Sequence, residues 1–424
     1  MEAKMPAGES LADAEGRTQA RLADLRGRNY RIDMTRGKPS REQLDLSNEI
    51  LTVLSAEDCV NADGDDYRNY GFGTGIPEAK VLLGAYMGVP AKQVIAGGNS
   101  SLALMHDTMV GAVLWGVPGG SAPWGKDAKF LCPVPGYDRH FAICERLGIE
   151  MINVDMRDDG PDMDTVEALV AGDPAIKGIW CVPKYSNPTG AIYSDAVVER
   201  LAAMKTAAAD FRIFWDDAYT MHHLTDVRLQ VMNILEACTA TGHPDRPYMF
   251  ASTSKIVHPG TGLASLAGSD ANIADVAHKM SFQTIGPDKL NQMRHVRFFG
   301  DLDGMAVHME KHATIIAPKF AVVDDALTRN LGGKNMATWN KPLGGYFFNV
   351  DLLDGCAAEV VRLAGEAGVT LTPAGATFPY GRDPRDRNLR IAPTLPPIEE
   401  LERAMEVFCA CVDVVSLRKL KAAA

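Results

Sequence analysis

The sequence predicts an α/β protein in which a large domain with a mostly parallel, doubly wound sheet is joined to a smaller α+β domain. Through the middle of the chain, short apolar runs alternate with amphipathic helical segments. Such alternation is typical of a sheet that helices cover on both faces. After a long helical stretch around residues 300–330 the pattern changes to short strands and two further helices. This change predicts the second, smaller domain.

The chain of 424 residues is long enough for two domains. We expect an N-terminal segment over residues 1–48 that packs with the small domain, a large domain over 49–325 and a small domain over 326–424. Strands are predicted at 93–96, 129–133 and 345–350, and helices at 10–28, 100–113, 138–147, 355–367 and from Ile398 onward.

Composition narrows the class of protein. Hydrophobic residues make up 46% and charged residues 23%, which is a globular balance, and the net charge of −11 argues against a nucleic-acid-binding protein. The eight cysteines are scattered without a C-x-x-C pair, which favours buried, reduced thiols in a cytosolic enzyme. The charged N-terminus and the absence of a run of about 18 apolar residues predict neither a signal peptide nor a membrane span. We therefore expect a cytoplasmic protein.

Three predicted strands end in polar residues suited to chemistry. They deliver Asn187, then Asp216 with Tyr219, then Lys255. Because the carboxyl ends of parallel strands meet at one edge of a sheet, these residues are expected to share a crevice. Taken alone, each motif has a simpler explanation: Lys255 as a surface lysine, and Asn187 as part of an Asn-Pro turn.

These motifs, followed near the C-terminus by Arg390 in a short extended run, resemble the fold-type I aminotransferases that depend on pyridoxal phosphate. The resemblance extends from about Asp33 to about Val412. Four further segments are similar to the bacterial aspartate aminotransferases of the Ic subgroup, whose aminotransferase domain is also described as MocR-like. These segments are 36–39, 70–78, 283–289 and 372–379.

The resemblance implies a role for each strand-end residue. Lys255 binds the cofactor covalently and moves a proton during transfer, and Asp216 pairs with the protonated ring nitrogen. From the residues alone, the neighbouring Asp217 is an equal candidate for that acid. Asn187 and Tyr219 hydrogen-bond the phenolic oxygen of the ring.

The predicted helix start at Asn99, Ser100 and Ser101 offers backbone N–H groups, hydroxyls and a helix dipole, which suit a phosphate. From the residues alone, Ser100 is as well explained as a helix N-cap. By resemblance this turn binds the cofactor phosphate together with Ser252 and Ser254.

Other residues are assigned to the cofactor ring and the substrate by resemblance. Tyr137 stacks on the pyridine ring, although a core tyrosine is an alternative, and Arg390 binds the α-carboxylate of the substrate. Gly37 lets the backbone approach the same carboxylate, and Arg36 binds the distal carboxylate of aspartate. Alternatives for the distal cation are Lys38, Arg294 and Arg297.

The resemblance also implies a homodimer with shared active sites, in which Tyr70 reaches the phosphate bound by the partner subunit. One departure from the family pattern concerns that phosphate. Where most members carry an arginine in a Pro-Gly-x-Arg motif, this chain has Gly262. The phosphate must then find its cation elsewhere, with Lys289 as a candidate, or bind with fewer charges.

His308 and His312 have the spacing of a metal-binding pair on a helix, but no further ligand motif completes a site. We therefore expect no metal and interpret the pair as part of a solvated helix face.

The sequence thus predicts an aminotransferase that exchanges an amino group between L-aspartate and 2-oxoglutarate, giving oxaloacetate and L-glutamate. An aminotransferase or β-lyase for another amino acid is an alternative, as is a catalytically silent, ligand-sensing relative. The motifs begin by residue 36 and the chain is acidic, which argues against a fused DNA-binding module of the MocR type.

Overall fold

Strands and helices alternate along the chain as the sequence predicts. The structure is a computed structural model that describes residues 10–35 and 37–423. The strands of this part of the chain are β1 (Ile32–Met34), β2 (Val94–Ala96), β3 (Lys129–Val134), β4 (Glu150–Arg157), β5 (Gly160–Pro161), β6 (Ile176–Cys181), β7 (Arg212–Asp216), β8 (Pro247–Ser252), β9 (Ala264–Gly268), β10 (Ala337–Trp339), β11 (Phe348–Leu352), β12 (Val369–Leu371) and β13 (Asn388–Ile391). The α-helices are α1 (Leu11–Gly27), α2 (Arg41–Asp45), α3 (Pro77–Met87), α4 (Ser101–Trp115), α5 (Asp138–Leu147), α6 (Met163–Gly172), α7 (Asp195–Ala203), α8 (Ile234–Ala240), α9 (Asp270–Met280), α10 (Lys289–Phe299), α11 (Leu302–Leu331), α12 (Ala357–Glu366) and α13 (Ile398–Ala423).

An eight-stranded sheet with the order β2-β9-β8-β7-β6-β3-β4-β5 forms the centre of the large domain. Strands β8, β7, β6, β3 and β4 pair in parallel. Strand β9 is antiparallel to both of its neighbours, and β5 is antiparallel to β4. Six strands therefore run in one direction and two oppose them, which confirms the predicted mostly parallel sheet.

The central strands are buried on both faces, which explains their continuous apolar sequences. All five residues of β7 are buried. Its Phe214 packs against Trp180 of β6 and Phe250 of β8, with ring centroids 4.9 and 5.6 Å apart. This packing fixes the three strands side by side and so aligns their carboxyl ends.

A second core lies around two smaller sheets. Strands β10, β11 and β13 form an antiparallel sheet, and β1 pairs in parallel with β12. Helices α1, α12 and α13 contribute side chains to the same hydrophobic cluster. The N-terminal helix and strand therefore pack with the C-terminal elements.

Helix α11 belongs to both cores. Its first half places Met305 and Met309 in the core of the large sheet, and its second half places Phe320 and Val323 in the other core. The helix continues without a break through residue 325. The domain boundaries at residues 48 and 325 stay a prediction.

Most element bounds agree with the sequence to within a few residues, and the clearest difference is at 345–350. The strand begins at Phe348 instead, because Gly344 and Gly345 turn against Tyr185. A Cβ atom at Gly344 would lie 2.4 Å from that ring, and Gly345 has a φ of 86°.

All eight cysteines are buried and unpaired, as predicted. Within the described ranges, none of the helices combines the length and apolar character needed to cross a bilayer.

Replacing Gly178 of β6 by alanine should destabilise the protein. The new Cβ would lie 2.4 Å from the Phe130 ring and 2.7 Å from the carbonyl of Arg212, in a packed centre with no room to yield. Overpacking of this kind typically costs about 1–3 kcal/mol, which should lower the thermal unfolding midpoint. The control is Gly172→Ala at the end of α6, where a Cβ meets open space. Equal midpoints for the two variants would contradict the packing argument.

Candidate active site

The residues predicted at three strand ends do lie at one edge of the large sheet. Strands β6, β7 and β8 are adjacent and parallel, so their carboxyl ends point the same way. Asp216 is the last residue of β7, and Asn187 and Lys255 follow β6 and β8 within a few residues. The crevice expected at this edge therefore contains all three.

Asp216 is a buried carboxylate with only one oxygen satisfied. Its Oδ2 lies 2.9 Å from Nε2 of His140, whose ring stacks on Trp180 with a centroid distance of 4.3 Å. Its Oδ1 is buried and has no hydrogen-bond partner among the described residues. A buried acceptor requires a donor, so Oδ1 marks a position for a ligand N–H group. His140 was missed in the sequence, although its place one turn after Tyr137 at the start of α5 was a usable signal.

The structure separates the two adjacent acids. The side chain of Asp217 interacts with Thr220 and Lys184, away from His140, and desolvation raises the pKa of its carboxyl. Consecutive residues at a strand end point to opposite faces, which explains why only one acid can enter the site.

Lys255 lies against Tyr219, with its Nζ 4.8 Å from the centre of that ring. Its carbonyl oxygen is 3.3 Å from Nε2 of His222 and accepts a 3.4 Å hydrogen bond from the hydroxyl of Tyr346. Burial, together with the charge of Lys255, lowers the pKa of His222 to about 3, so this ring is neutral near pH 7. Neither His222 nor Tyr346 was predicted as a site residue from the sequence.

The expectation of a solvated face for His308 and His312 was wrong. Both side chains are buried, and His308 Nε2 lies 2.9 Å from the carbonyl oxygen of Ile256, directly after Lys255. His312 lies 3.1 Å from both His308 and Gln43 of α2. The α11 face that bears them packs under the lysine segment, a tertiary contact that helical spacing alone could not reveal.

Arg390 reaches the site from the small domain. Its Nη1 donates to Oδ1 of Asn187 and to Oδ1 of Asp138, both at 3.2 Å, while its Nε is buried without a partner. Its guanidinium lies 4.8 Å from the ring centre of Phe347. A Cβ at Gly37 would be 2.6 Å from that same ring, so the backbone of Gly37 packs closely on Phe347.

The predicted phosphate turn forms a cup of polar groups. Helix α4 begins at Ser101, and Ser100 occupies the N-cap position without making a side-chain capping bond, so its hydroxyl is not used by the helix. Ser254 donates to the carbonyl of Asn99 at 2.8 Å and accepts from Ser252 at 3.2 Å. The first backbone hydrogen bond of α4 runs from the N–H of Ala103 to the carbonyl of Ser100 at 3.2 Å, so the N–H groups of Ser101 and Leu102 have no acceptor within the helix.

Of the two tyrosines beside the lysine, Tyr219 is buried and Tyr137 is half-buried. Tyr137 contacts the His140 ring edge to face at 4.9 Å, and burial raises the pKa of Tyr137 to about 12. Burial also raises the pKa of Tyr219, whose hydroxyl interacts with Asn187. Both phenols are therefore neutral donors near pH 7.

Tyr70 lies on the open surface, with 83% of its area exposed, and Asn99 of the phosphate turn is exposed as well. Arg36 lies outside the described residues. Of the alternatives for the distal cation, Arg297 pairs with Asp58 at 2.7 Å and Lys38 is exposed to solvent.

Comparison with known proteins identifies the family to which the chain belongs. The family model described as aspartate amino-transferase matches residues 7–423. The aspartate aminotransferase of Corynebacterium glutamicum is 46% identical over 391 residues, which are 92% of this chain and 90% of the relative. An aminotransferase of Mycolicibacterium smegmatis is 48% identical over 397 residues, 93% of each chain.

Solved structures show the same fold. The crystal structure of an aspartate transaminase from Corynebacterium glutamicum superposes with a TM-score of 0.95 at 43% identity and covers 98% of each chain. An aminotransferase from Corynebacterium diphtheriae gives a TM-score of 0.93 at 47% identity, covering 95% of this chain and 100% of the other. The sheet, the strand-end residues and these matches together show that this chain is an enzyme of the aspartate aminotransferase family with the fold-type I architecture.

Proposed function

We propose that this aminotransferase uses pyridoxal phosphate to exchange an amino group between L-aspartate and 2-oxoglutarate. The use of pyridoxal phosphate is supported above all by Asp216, a buried carboxylate whose Oδ1 has no donor within the described chain. The aspartate substrate is supported by the name of the 46% identical relative.

The surrounding residues fit the cofactor. When bound, pyridoxal phosphate supplies an electron sink that stabilises negative charge next to the transferred nitrogen. Asp216 would accept a hydrogen bond from the ring nitrogen and hold its proton. His140, held by stacking on Trp180, keeps the carboxylate oriented toward that position.

Lys255 is positioned to carry the proton. Its amine stands over the Tyr219 ring at the opening of the strand-end crevice, and its backbone is fixed by His222 and Tyr346. We propose that it binds the cofactor and then moves the proton as a general acid and base. Asn187 and the neutral phenol of Tyr219 would hold the ring oxygen, while Tyr137 would stack on the ring.

Arg390 would bind the α-carboxylate of the substrate. Its Nη1 is already oriented by Asn187 and Asp138, so the rest of the guanidinium is preorganised for a bidentate pair. The Nε, which is buried without a partner, is one of the donors left for that pair. For the distal carboxylate we propose Arg36, because it precedes Gly37, which packs on Phe347 beside Arg390.

We also propose a homodimer with shared active sites. Tyr70 is exposed, as are Phe282 and Ile285, which are 82% and 66% exposed. We propose that these side chains form one apolar patch, since a Cβ built on Gly73 of the Tyr70 loop would lie 3.9 Å from the carbonyl of Ile285. A second copy of the chain would cover this patch and receive Tyr70 at its phosphate. A cytoplasmic location completes the proposal, because unpaired cysteines favour a reducing compartment.

The substrate is tested by comparing amino donors with 2-oxoglutarate as acceptor. We expect kcat/KM to be highest for aspartate, with a yellow protein that loses colour when the donor is added. A larger value for another amino acid would reassign the donor. Release of pyruvate or ammonia without transfer would indicate a lyase, and no turnover with any donor would indicate a silent binder.

Replacement of Lys255 by alanine should abolish turnover and leave the fold intact, because no other amine is placed to bind the cofactor and move the proton. Loss of activity is measured with aspartate, and the fold by circular dichroism. Borohydride reduction of the wild type followed by peptide mapping provides the second test. A modified peptide other than the one containing Lys255 would show that the wrong lysine was chosen.

The two acids should respond differently to substitution. Asp216→Ala should leave cofactor bound but slow turnover by about 10² to 10⁴, the range for loss of one preorganised electrostatic partner. Asp217→Ala serves as the matched control, because its carboxylate faces Thr220 and Lys184 instead of His140. A larger loss for the Asp217 variant than for the Asp216 variant would reverse the assignment.

Mixed dimers should distinguish residues that act in the partner's site. Subunits with Lys255→Ala and subunits with Tyr70→Phe, each with low activity alone, should regain activity when mixed, because one site of the hybrid then has both groups intact. Arg390→Ala in place of Tyr70→Phe should give no such recovery, since Arg390 lies in the same site as Lys255. Recovery is measured as activity after subunit exchange. A fully active monomer in solution would exclude shared sites.

A further inference from the structure

The phosphate cup has no room for a cation at the position where family members carry arginine. A Cβ at Gly262 would lie 2.6 Å from Oγ of Ser254 and 2.9 Å from the carbonyl oxygen of Asn99. Even one added carbon would therefore displace groups that form the cup. A phosphate dianion in a partly enclosed site still needs positive charge, which another element must provide.

Lys289 is a candidate by its burial and its lack of a partner. Only 8% of the residue is exposed, and it forms no ion pair with any residue in the described ranges. Three partly buried lysines elsewhere in the large domain pair with acids, namely Lys129 with Asp173 at 3.0 Å, Lys177 with Asp210 at 2.7 Å and Lys279 with Asp275 at 2.6 Å, whereas Lys80 and Lys184 form no ion pair within the described ranges. An ammonium withdrawn from water without a counter-ion is unfavourable unless a ligand supplies the negative charge.

Contacts of the same helical turn place Lys289 beside the cup. Lys289 is the first residue of α10, and two residues later Asn291 donates from Nδ2 to the carbonyl of Gly262 at 3.0 Å. Gly262 in turn packs on Ser254 and Asn99. The start of α10 is therefore fixed directly against the wall of the cup that lacks a side chain.

The Tyr70 loop approaches the same lysine from the other side. A Cβ built on Gly286 would lie 2.4 Å from the carbonyl of Gly71 and 3.6 Å from Nζ of Lys289. The adjacent acid, Asp288, is used for another purpose, because its Oδ1 accepts from the backbone N–H of Asn291 as the helix N-cap. The helical turn that begins with Lys289 thus contacts Gly262 through Asn291, while the ammonium of Lys289 lies near Gly286, which packs on the loop that carries Tyr70.

We propose that Lys289 supplies the positive charge for the cofactor phosphate, in place of the arginine that Gly262 excludes. This inference rests on the proposed use of pyridoxal phosphate and adds the residue that neutralises it. A lysine suits the position, because its ammonium is a compact charge with three donors on a flexible stem. The N-terminal dipole of α10 adds positive potential at the same place.

The test measures cofactor binding by the apoenzyme, independent of turnover. Lys289→Gln should weaken binding of pyridoxal phosphate by about 10- to 100-fold, the usual effect of losing a hydrogen bond between two charged groups. Binding of pyridoxal, which lacks the phosphate, should change by less than about twofold for the same reason. Inorganic phosphate should compete with pyridoxal phosphate more weakly in the variant, and Lys289→Arg should restore most of the affinity.

Arg297→Gln is the matched control, because it removes one positive charge from the exposed side of the same helix, where Arg297 pairs with Asp58. It should leave both dissociation constants unchanged. Thermal unfolding of the apoenzymes checks that the variants fold. Unchanged affinity of Lys289→Gln for pyridoxal phosphate, or equal losses for the phosphate and pyridoxal forms, would overturn the assignment of Lys289. Failure of the wild type to bind either form would instead overturn the proposed cofactor.

Discussion

A carboxylate buried at the end of the central strand β7 imposes the strictest requirement in this molecule. Because Asp216 is buried, each of its carboxylate oxygens requires a hydrogen-bond donor, since uncompensated burial costs several kcal/mol. His140 satisfies one oxygen and is itself held by stacking on Trp180 of β6. The central strands, the start of α5 and the aromatic layer beneath them are thus organised around one carboxylate, which leaves its second oxygen for the ligand.

The second requirement is that a positively charged side chain from the small domain reaches the same crevice. Arg390 extends from β13 to Asn187 and Asp138, which belong to the large domain. Phe347 packs under its guanidinium, and Gly37 packs against Phe347. One arginine therefore connects the two cores and the N-terminal segment. Helix α11, which contributes to both cores, provides the continuous support for this arrangement.

A layer of neutral histidines packs against the backbone of Lys255 and Ile256. His222 lies at the carbonyl of Lys255, and His308 at the carbonyl of Ile256. Burial lowers the pKa of His312 to about 4, so this layer adds hydrogen bonds without adding positive charge next to the lysine. Through Gln43, the same layer connects α2 of the N-terminal segment to the lysine. The position of the amine thus depends on elements far from it in sequence.

The sequence by itself determined the class of fold and the edge of the sheet where the site lies. Apolar runs such as Phe211–Trp215 are followed at once by polar residues, and the geometry of parallel strands brings such ends together. The resemblance then distinguished Asp216 from Asp217, which local pattern could not do. The local sequence also determines where helices begin and end. Helix α5 begins at Asp138 as predicted, and it ends before Gly148, which adopts the left-handed conformation.

Only the tertiary structure decided which residues support that site. Tyr346 and His222 carry no local motif, because their partners are distant in sequence and their roles arise from packing. The helical spacing of His308 and His312 was correct, but periodicity does not tell which face a long helix buries when it serves two cores. The exclusion of a side chain at Gly262, and the burial of Lys289 beside it, likewise depend on contacts among segments separated by up to 155 residues, such as Ser254 with Asn99. The local sequence therefore specified which functional groups the site contains, and long-range packing specified their orientation, partners and charge environment.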